Sequence, residues 1–134
     1  MTLRISLRDG EKMIVNGAVI RSIGRNSIEL ENHAAILRGR EVMAPEEANT
    51  PARRLYFACM MAYIHTDQLE TYQEQILTLL GDLMNALEAP EAKAACASFA
   101  HNVALSDFYR ALADCRVLIS YEAEAFGRLE TRAA

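Results

Sequence analysis

Nowhere in these 134 residues do 18 apolar residues follow one another, and a helix needs about 20 to cross a bilayer. No membrane span is expected. The opening residues Met1-Thr2-Leu3-Arg4-Ile5 carry neither the long apolar core nor the small-residue cleavage site of a secretory signal. The expected compartment is the cytoplasm. Cysteine is scarce: Cys59, Cys96 and Cys115 are too few and too scattered for a disulfide framework. Each lies among apolar neighbours in a predicted helix, so reduced, buried thiols are expected. Of the three histidines, His33, His65 and His101, none stands one helical turn from another histidine or a cysteine. Cys96 and His101 would fall roughly on opposite flanks of a helix, so no metal site is expected on them. Gly24 and Gly39 are isolated, so no phosphate-cradling glycine loop is present. Ser106 has no nucleophile elbow around it and reads as a helix cap. No catalytic residue, metal or cofactor is expected, and the chain reads as non-enzymatic.

What is present is enough apolar material, 51 %, to build a real core. The length fits one domain, or a small cap on a helical body. The net charge of −4 excludes a strongly basic nucleic-acid binder on totals. The distribution is uneven. Residues 1–54 hold nine Arg/Lys against seven Asp/Glu; residues 55–134 hold five against eleven. An anionic partner is therefore expected on the first part.

That first part reads as strands. Leu3-Arg4-Ile5-Ser6-Leu7 alternates, with Leu3, Ile5 and Leu7 on one side, the period of a half-buried strand. Asp9-Gly10 turns the chain, Lys12 to Val15 makes a second strand, and Asn16-Gly17 is a hairpin turn. Ala18 to Ile23 is a third strand, with Val19 and either Ile20 or Ile23 inward. Ser27 to Glu31 alternates as a fourth, and Ala34 to Leu37 is a short fifth. Five short strands at this spacing suggest a small barrel-like or meander sheet. About 40 residues of it would be marginal alone.

The rest reads as helices. Asn49-Thr50-Pro51 is a cap followed by proline at the first helical position. Ten uncharged residues, Leu55 through Ile64, then predict a helix buried on every side. Asp67 and Glu70 read as a capping box. The stripe Leu69, Tyr72, Ile76, Leu79, Leu83 is widened by Leu77, Leu80, Met84 and Leu87, which is more apolar face than one neighbour needs. Gly81 inside that helix marks a close crossing or a kink. Pro90 opens a third helix with Ala92, Ala95, Cys96 and Phe99 inward. Ser106 caps a fourth, with Phe108, Leu112, Cys115, Leu118 or Ile119, and Phe126 inward, and Gly127 ends it. The expected fold is α+β: a small five-stranded antiparallel sheet over 1–44, then a four-helix α body over 45–134.

Three stretches carry a family resemblance: Asn16-Gly17-Ala18-Val19-Ile20, Ile36-Leu37-Arg38-Gly39, and Glu46-Glu47-Ala48-Asn49-Thr50-Pro51-Ala52-Arg53-Arg54-Leu55-Tyr56-Phe57. They resemble the FlbT family of flagellin translation regulators, and the likeness spans nearly the whole chain. The resemblance implies a post-transcriptional regulator of flagellum biogenesis that acts on the 5′ untranslated region of flagellin mRNA. Such a regulator represses translation or promotes decay of the message. It also implies a link to a small flagellar partner protein or to flagellin. A second, weaker resemblance joins residues 3–43 to the carbon storage regulators, five-stranded RNA-binding dimers whose first and last strands present basic residues. On that pattern Arg8 and Arg40 match basic positions. Leu7 stands where a second basic residue is usual, and Gly39 where a polar one is. The RNA-binding residues expected are Arg4, Arg8, Arg38 and Arg40, at the two ends of the strand-rich segment. The 45–134 body is expected to serve protein interaction and homodimer formation. The alternative reading makes the chain a protein-binding adaptor acting through that helical half.

Overall fold

The computed structural model describes residues 2–133. It is α+β, five strands followed by four helices, and it divides into two compact units at Val42/Met43.

In the first unit the strands are β1 (Leu3–Leu7), β2 (Lys12–Val15), β3 (Ala18–Arg21), β4 (Asn26–Leu30) and β5 (Ile36–Arg38). They form two antiparallel sheets, β1-β4 and β3-β2-β5, rather than one meander. The alternation of β1 sets its register. Ile5 lies opposite Ile28, while Arg4 faces Glu29 and Ser6 faces Ser27 on the outer side. Ile5, Leu7 and Met13 are buried together, with Val15, Ile28 and Ile36 packed against them, so both sheets feed one small core. The Asn16-Gly17 hairpin has both residues at positive φ, 49° and 87°. That is the two-residue turn whose twist matches the flanking strands. Asn16 also holds β5 in place: its Oδ1 accepts the Ala35 N–H at 2.9 Å, and its own N–H donates to the Ala35 carbonyl at 2.8 Å.

The expected inward side of the third strand is overturned. Val19, Ile20 and Ile23 are 67 %, 43 % and 84 % exposed. Among the described residues β3 pairs only with β2, and Ile23 lies beyond its end in the next turn. Leu3 is likewise half exposed.

In the second unit the helices are α1 (Pro51–Ile64), α2 (Leu69–Ala86), α3 (Pro90–Ala104) and α4 (Phe108–Ala133). α1 is central, packing against both α2 and α4, while α3 and α4 form a tight pair. Its N-terminus is built as the sequence implies: the Arg53 N–H donates to Thr50 Oγ1 at 3.3 Å and Pro51 takes the first position. Ala52, Leu55, Tyr56, Ala58, Cys59, Met60 and Ala62 are buried. α3 buries Ala92, Ala95, Cys96 and Phe99. On α2, Ile76, Leu80 and Leu83 face inward, while Leu77 and Met84 of the widened stripe stay exposed.

Four local expectations are corrected. Asp67 and Glu70 form no capping box: residues Thr66–Gln68 make a 3-10 turn, closed by the Gln68 N–H on the His65 carbonyl, and α2 starts only after it. Gly81 marks no close crossing, because a Cβ there would meet nothing within 4 Å. Ser106 does not cap α4; it ends α3 in the left-handed region at φ 59°, and Asp107 Oδ1 accepts the Arg110 N–H at 3.3 Å instead. α4 runs on through Gly127, and Phe126 is 45 % exposed. Among the described residues no helix is long and apolar enough to cross a membrane.

Candidate nucleic-acid interface

The strand directions of the first unit gather charge at one end. β1 runs towards that end and finishes at Leu7, which pairs with Asn26 at the start of β4. Lys12, at the start of β2, lies opposite Arg21, at the finish of β3. Arg38, at the finish of β5, lies opposite Met13 on the other side of β2. The turns over 8–11 and 22–25 sit side by side, because Asp9 Oδ1 accepts the Gly24 N–H at 2.8 Å. Arg8, Lys12, Arg21, Arg25, Arg38 and Arg40 therefore share one end of the unit, and all six are exposed. Among the described residues none of these six side chains forms an ion pair.

The carboxylates at the same end are engaged with backbone. Glu11 Oε1 accepts the Arg8 N–H at 3.0 Å, and Glu41 Oε1 accepts the Arg38 N–H at 3.2 Å. Gly10 and Gly39, at φ 79° and 59°, let the chain fold tightly enough for each glutamate to reach back three residues. Each arginine thus stands at the root of a tight turn whose acid is held by the main chain. A carboxylate with such a donor has less capacity left for the neighbouring guanidinium.

Three of the four arginines singled out in the sequence, Arg8, Arg38 and Arg40, lie at this end. Arg4 does not join them. It lies three residues back along β1, roughly 10 Å at the usual strand rise, and faces Glu29 across the ladder. β1 and β5 belong to different sheets of the chain, so strand pairing does not lay one beside the other. Sequence reasoning missed Lys12, Arg21 and Arg25. Their only early signal was the basic excess of the segment, because meeting at one end depends on register. The first unit contains no Phe, Tyr or Trp, so it supplies no aromatic platform of its own to these cations.

Among the described residues no three metal-ligating side chains converge. A groove of about 580 Å³ between α1 and α2 is lined by Arg54, Phe57, Glu74, Gln75, Thr78 and Leu79 among others. A smaller hollow of about 270 Å³ lies where Leu87 and Ala92 meet Tyr121, Arg128 and Leu129. The cysteines are free, buried and outside both. Burial pushes the Cys59 thiol up to about 12, and raises Cys115 by the same desolvation, aided by nearby Cys59 and Glu122. Buried thiols held protonated are inert.

The family model described as flagellar protein FlbT matches residues 3–126. The flagellum biosynthesis repressor protein FlbT of Caulobacter vibrioides (strain ATCC 19089) is 35 % identical over 132 residues, covering 98 % of this chain and 94 % of its own. A probable flagellum biosynthesis repressor of Caulobacter sp. (strain K31) is 36 % identical over 130 residues, covering 96 % and 99 %. Another from Bradyrhizobium diazoefficiens is 35 % identical over 133 residues, covering 97 % and 88 %. No solved structure matches the chain.

Proposed function

Because this chain belongs to the FlbT family of flagellar proteins, we propose that it is a post-transcriptional repressor of flagellum biogenesis. In this reading it binds the 5′ untranslated region of flagellin mRNA and represses translation or promotes decay of that message. The observation that carries the reading is the basic end of the first unit, where Arg8, Arg38 and Arg40 lie exposed with the nearby acids on backbone amides. Arg4 flanks it. Guanidinium groups suit an RNA ligand, because the planar fork pairs with phosphate and stacks on unpaired bases. Without aromatic side chains on the surface, base stacking falls to the arginines themselves. Repression needs only occupancy of the message, so no catalytic group is required. A regulator of translation works where ribosomes do, in the cytoplasm.

Four phosphate contacts give a single-strand salt slope near −2.8, so affinity drops about 50-fold from about 50 to about 200 mM salt. The test is filter retention of the flagellin leader by the Arg8→Ala/Arg40→Ala protein. Binding should weaken markedly while thermal unfolding stays unchanged; undiminished retention by a folded variant removes these residues from the site.

A second reading is favoured by α2, where Leu77 and Met84 remain 66 % and 45 % exposed on a stripe whose other members are buried or half-buried. That face suits a helix of a small flagellar partner, of flagellin, or of a second copy of the chain. Leu77→Glu/Met84→Glu in the full-length protein should abolish co-purification with the partner, or halve the mass in sedimentation, and leave RNA retention intact. Unaltered association on both counts would rule the face out.

A further inference from the structure

We propose that Lys12 and Arg21 form a phosphate seat that extends the RNA site across the three-stranded sheet. The inference rests on the RNA-binding reading above and adds two residues to which no role has been given. The two side chains lie directly opposite each other on neighbouring strands. Residues in that relation have Cβ atoms about 5 Å apart, and like charges there are destabilising. Such a pair is normally relieved by a carboxylate beside it. The two acids of the adjoining turn are engaged elsewhere: Asp9 holds the Gly24 N–H at 2.8 Å, and Glu11 holds the Arg8 N–H at 3.0 Å. Both cations are exposed, and neither forms an ion pair with a described residue.

An ammonium and a guanidinium held side by side, with no ion-pair partner among the described residues, offer three and five donors respectively to one anion. A phosphodiester, with two unesterified oxygens, can bridge them. The seat continues the track already described. The turn carrying Arg8 leads straight into the strand that begins with Lys12, while Arg38, paired with Met13, belongs to the other face of that sheet at the same end. Val19 shares a strand face with Arg21 by alternation and is 67 % exposed, giving a ribose or base something apolar to rest on. The ligand is single-stranded RNA laid over the turn end from Arg8 to Arg21. A chain in this position would touch the starts of β2 and β4 rather than run along β1.

The experiment measures binding of a short, unstructured, end-labelled RNA by fluorescence anisotropy at several salt concentrations, with thermal unfolding recorded for every variant. Lys12→Met/Arg21→Met should lose two contacts, making the salt slope shallower by about 1.4 and weakening binding roughly tenfold per contact at about 50 mM salt. Lys12→Glu should weaken binding while raising the melting temperature, because it places opposite charges across the ladder. A structural role alone would move both readouts in one direction. The exchange Lys12→Arg/Arg21→Lys keeps both charges and should bind as the parent does. Parental affinity and slope in the double methionine variant overturn the seat, and Arg8→Ala/Arg40→Ala then tells whether the wider reading survives. Equal loss of binding in the exchange variant overturns it too, as does a Lys12→Glu protein that is destabilised.

Discussion

Glu122 is 6 % exposed on α4 and accepts the Ala52 N–H at 2.8 Å, at the first turn of α1. It supplies one of the acceptors that a helix start cannot find within itself, and its charge suits the positive end of the helix. Glu122→Ala should cost about 1–3 kcal/mol by leaving a buried N–H unsatisfied. Glu122→Gln keeps an oxygen in place and should cost less; denaturant unfolding of the two variants checks the order. Cys59 makes a different prediction. Its buried thiol stays protonated up to about pH 12, whereas an unfolded chain releases that proton from about pH 9. Stability should therefore fall as pH rises through that window, by up to about 1.4 kcal/mol per unit. Cys59 should also resist alkylation at neutral pH until the protein is denatured. The two residues differ in how far the sequence alone reveals them. Apolar neighbours mark the thiol as buried. The Glu122 contact joins positions 70 apart, and nothing local marks it. Arg8, Arg38 and Arg40 are legible as residues, but Lys12 beside Arg21 emerges only once a register is known.

Elements defined by local chemistry are the legible ones. Asn16-Gly17 makes its hairpin, Thr50-Pro51 starts α1, and Pro90 starts α3, because each rests on backbone preferences within four residues. Elements decided by competition are not. Ser106 and Asp107 are both good caps, and the fold uses the first to finish one helix and the second to begin another. Period-two alternation on β3 says which side chains share a face, not whether anything covers that face, so Val19 and Ile20 lie outward against expectation. The apolar stripe of α2 is plain in the sequence, but the glycine within it signals nothing about packing. Gly81 is exposed and its Cβ position is open. Gly81→Ala should therefore stabilise the protein by roughly 1 kcal/mol, the helix propensity difference with no clash to offset it. A neutral or negative result in thermal unfolding would show a constraint on that helix beyond packing.

Across the whole chain, charge and architecture divide at the same place. Residues 1–42 hold seven Arg/Lys against five Asp/Glu, and residues 43–134 hold seven against thirteen. Composition alone carries this imbalance. The sorting of six cations onto one end of the first unit is invisible there, because it needs two separate sheets and three registers at once. Salt should therefore act unequally on the molecule. On the proposed RNA-binding reading, raising it should strip RNA from the first unit steeply, while the helical unit, held by apolar burial, should melt at nearly the same temperature. Parallel binding and unfolding series in one buffer set would check this.

The outer rim of β3 has a further consequence. β3 hydrogen-bonds along β2 on one side and to no other described strand, beside bare valine and isoleucine. Rims of that kind zip onto one another unless charge keeps them apart, and the only charged residue within β3 is Arg21. A polyanion that neutralises Arg21 would release that brake, so ligand-loaded molecules should stick together at concentrations where empty ones scatter light as single particles.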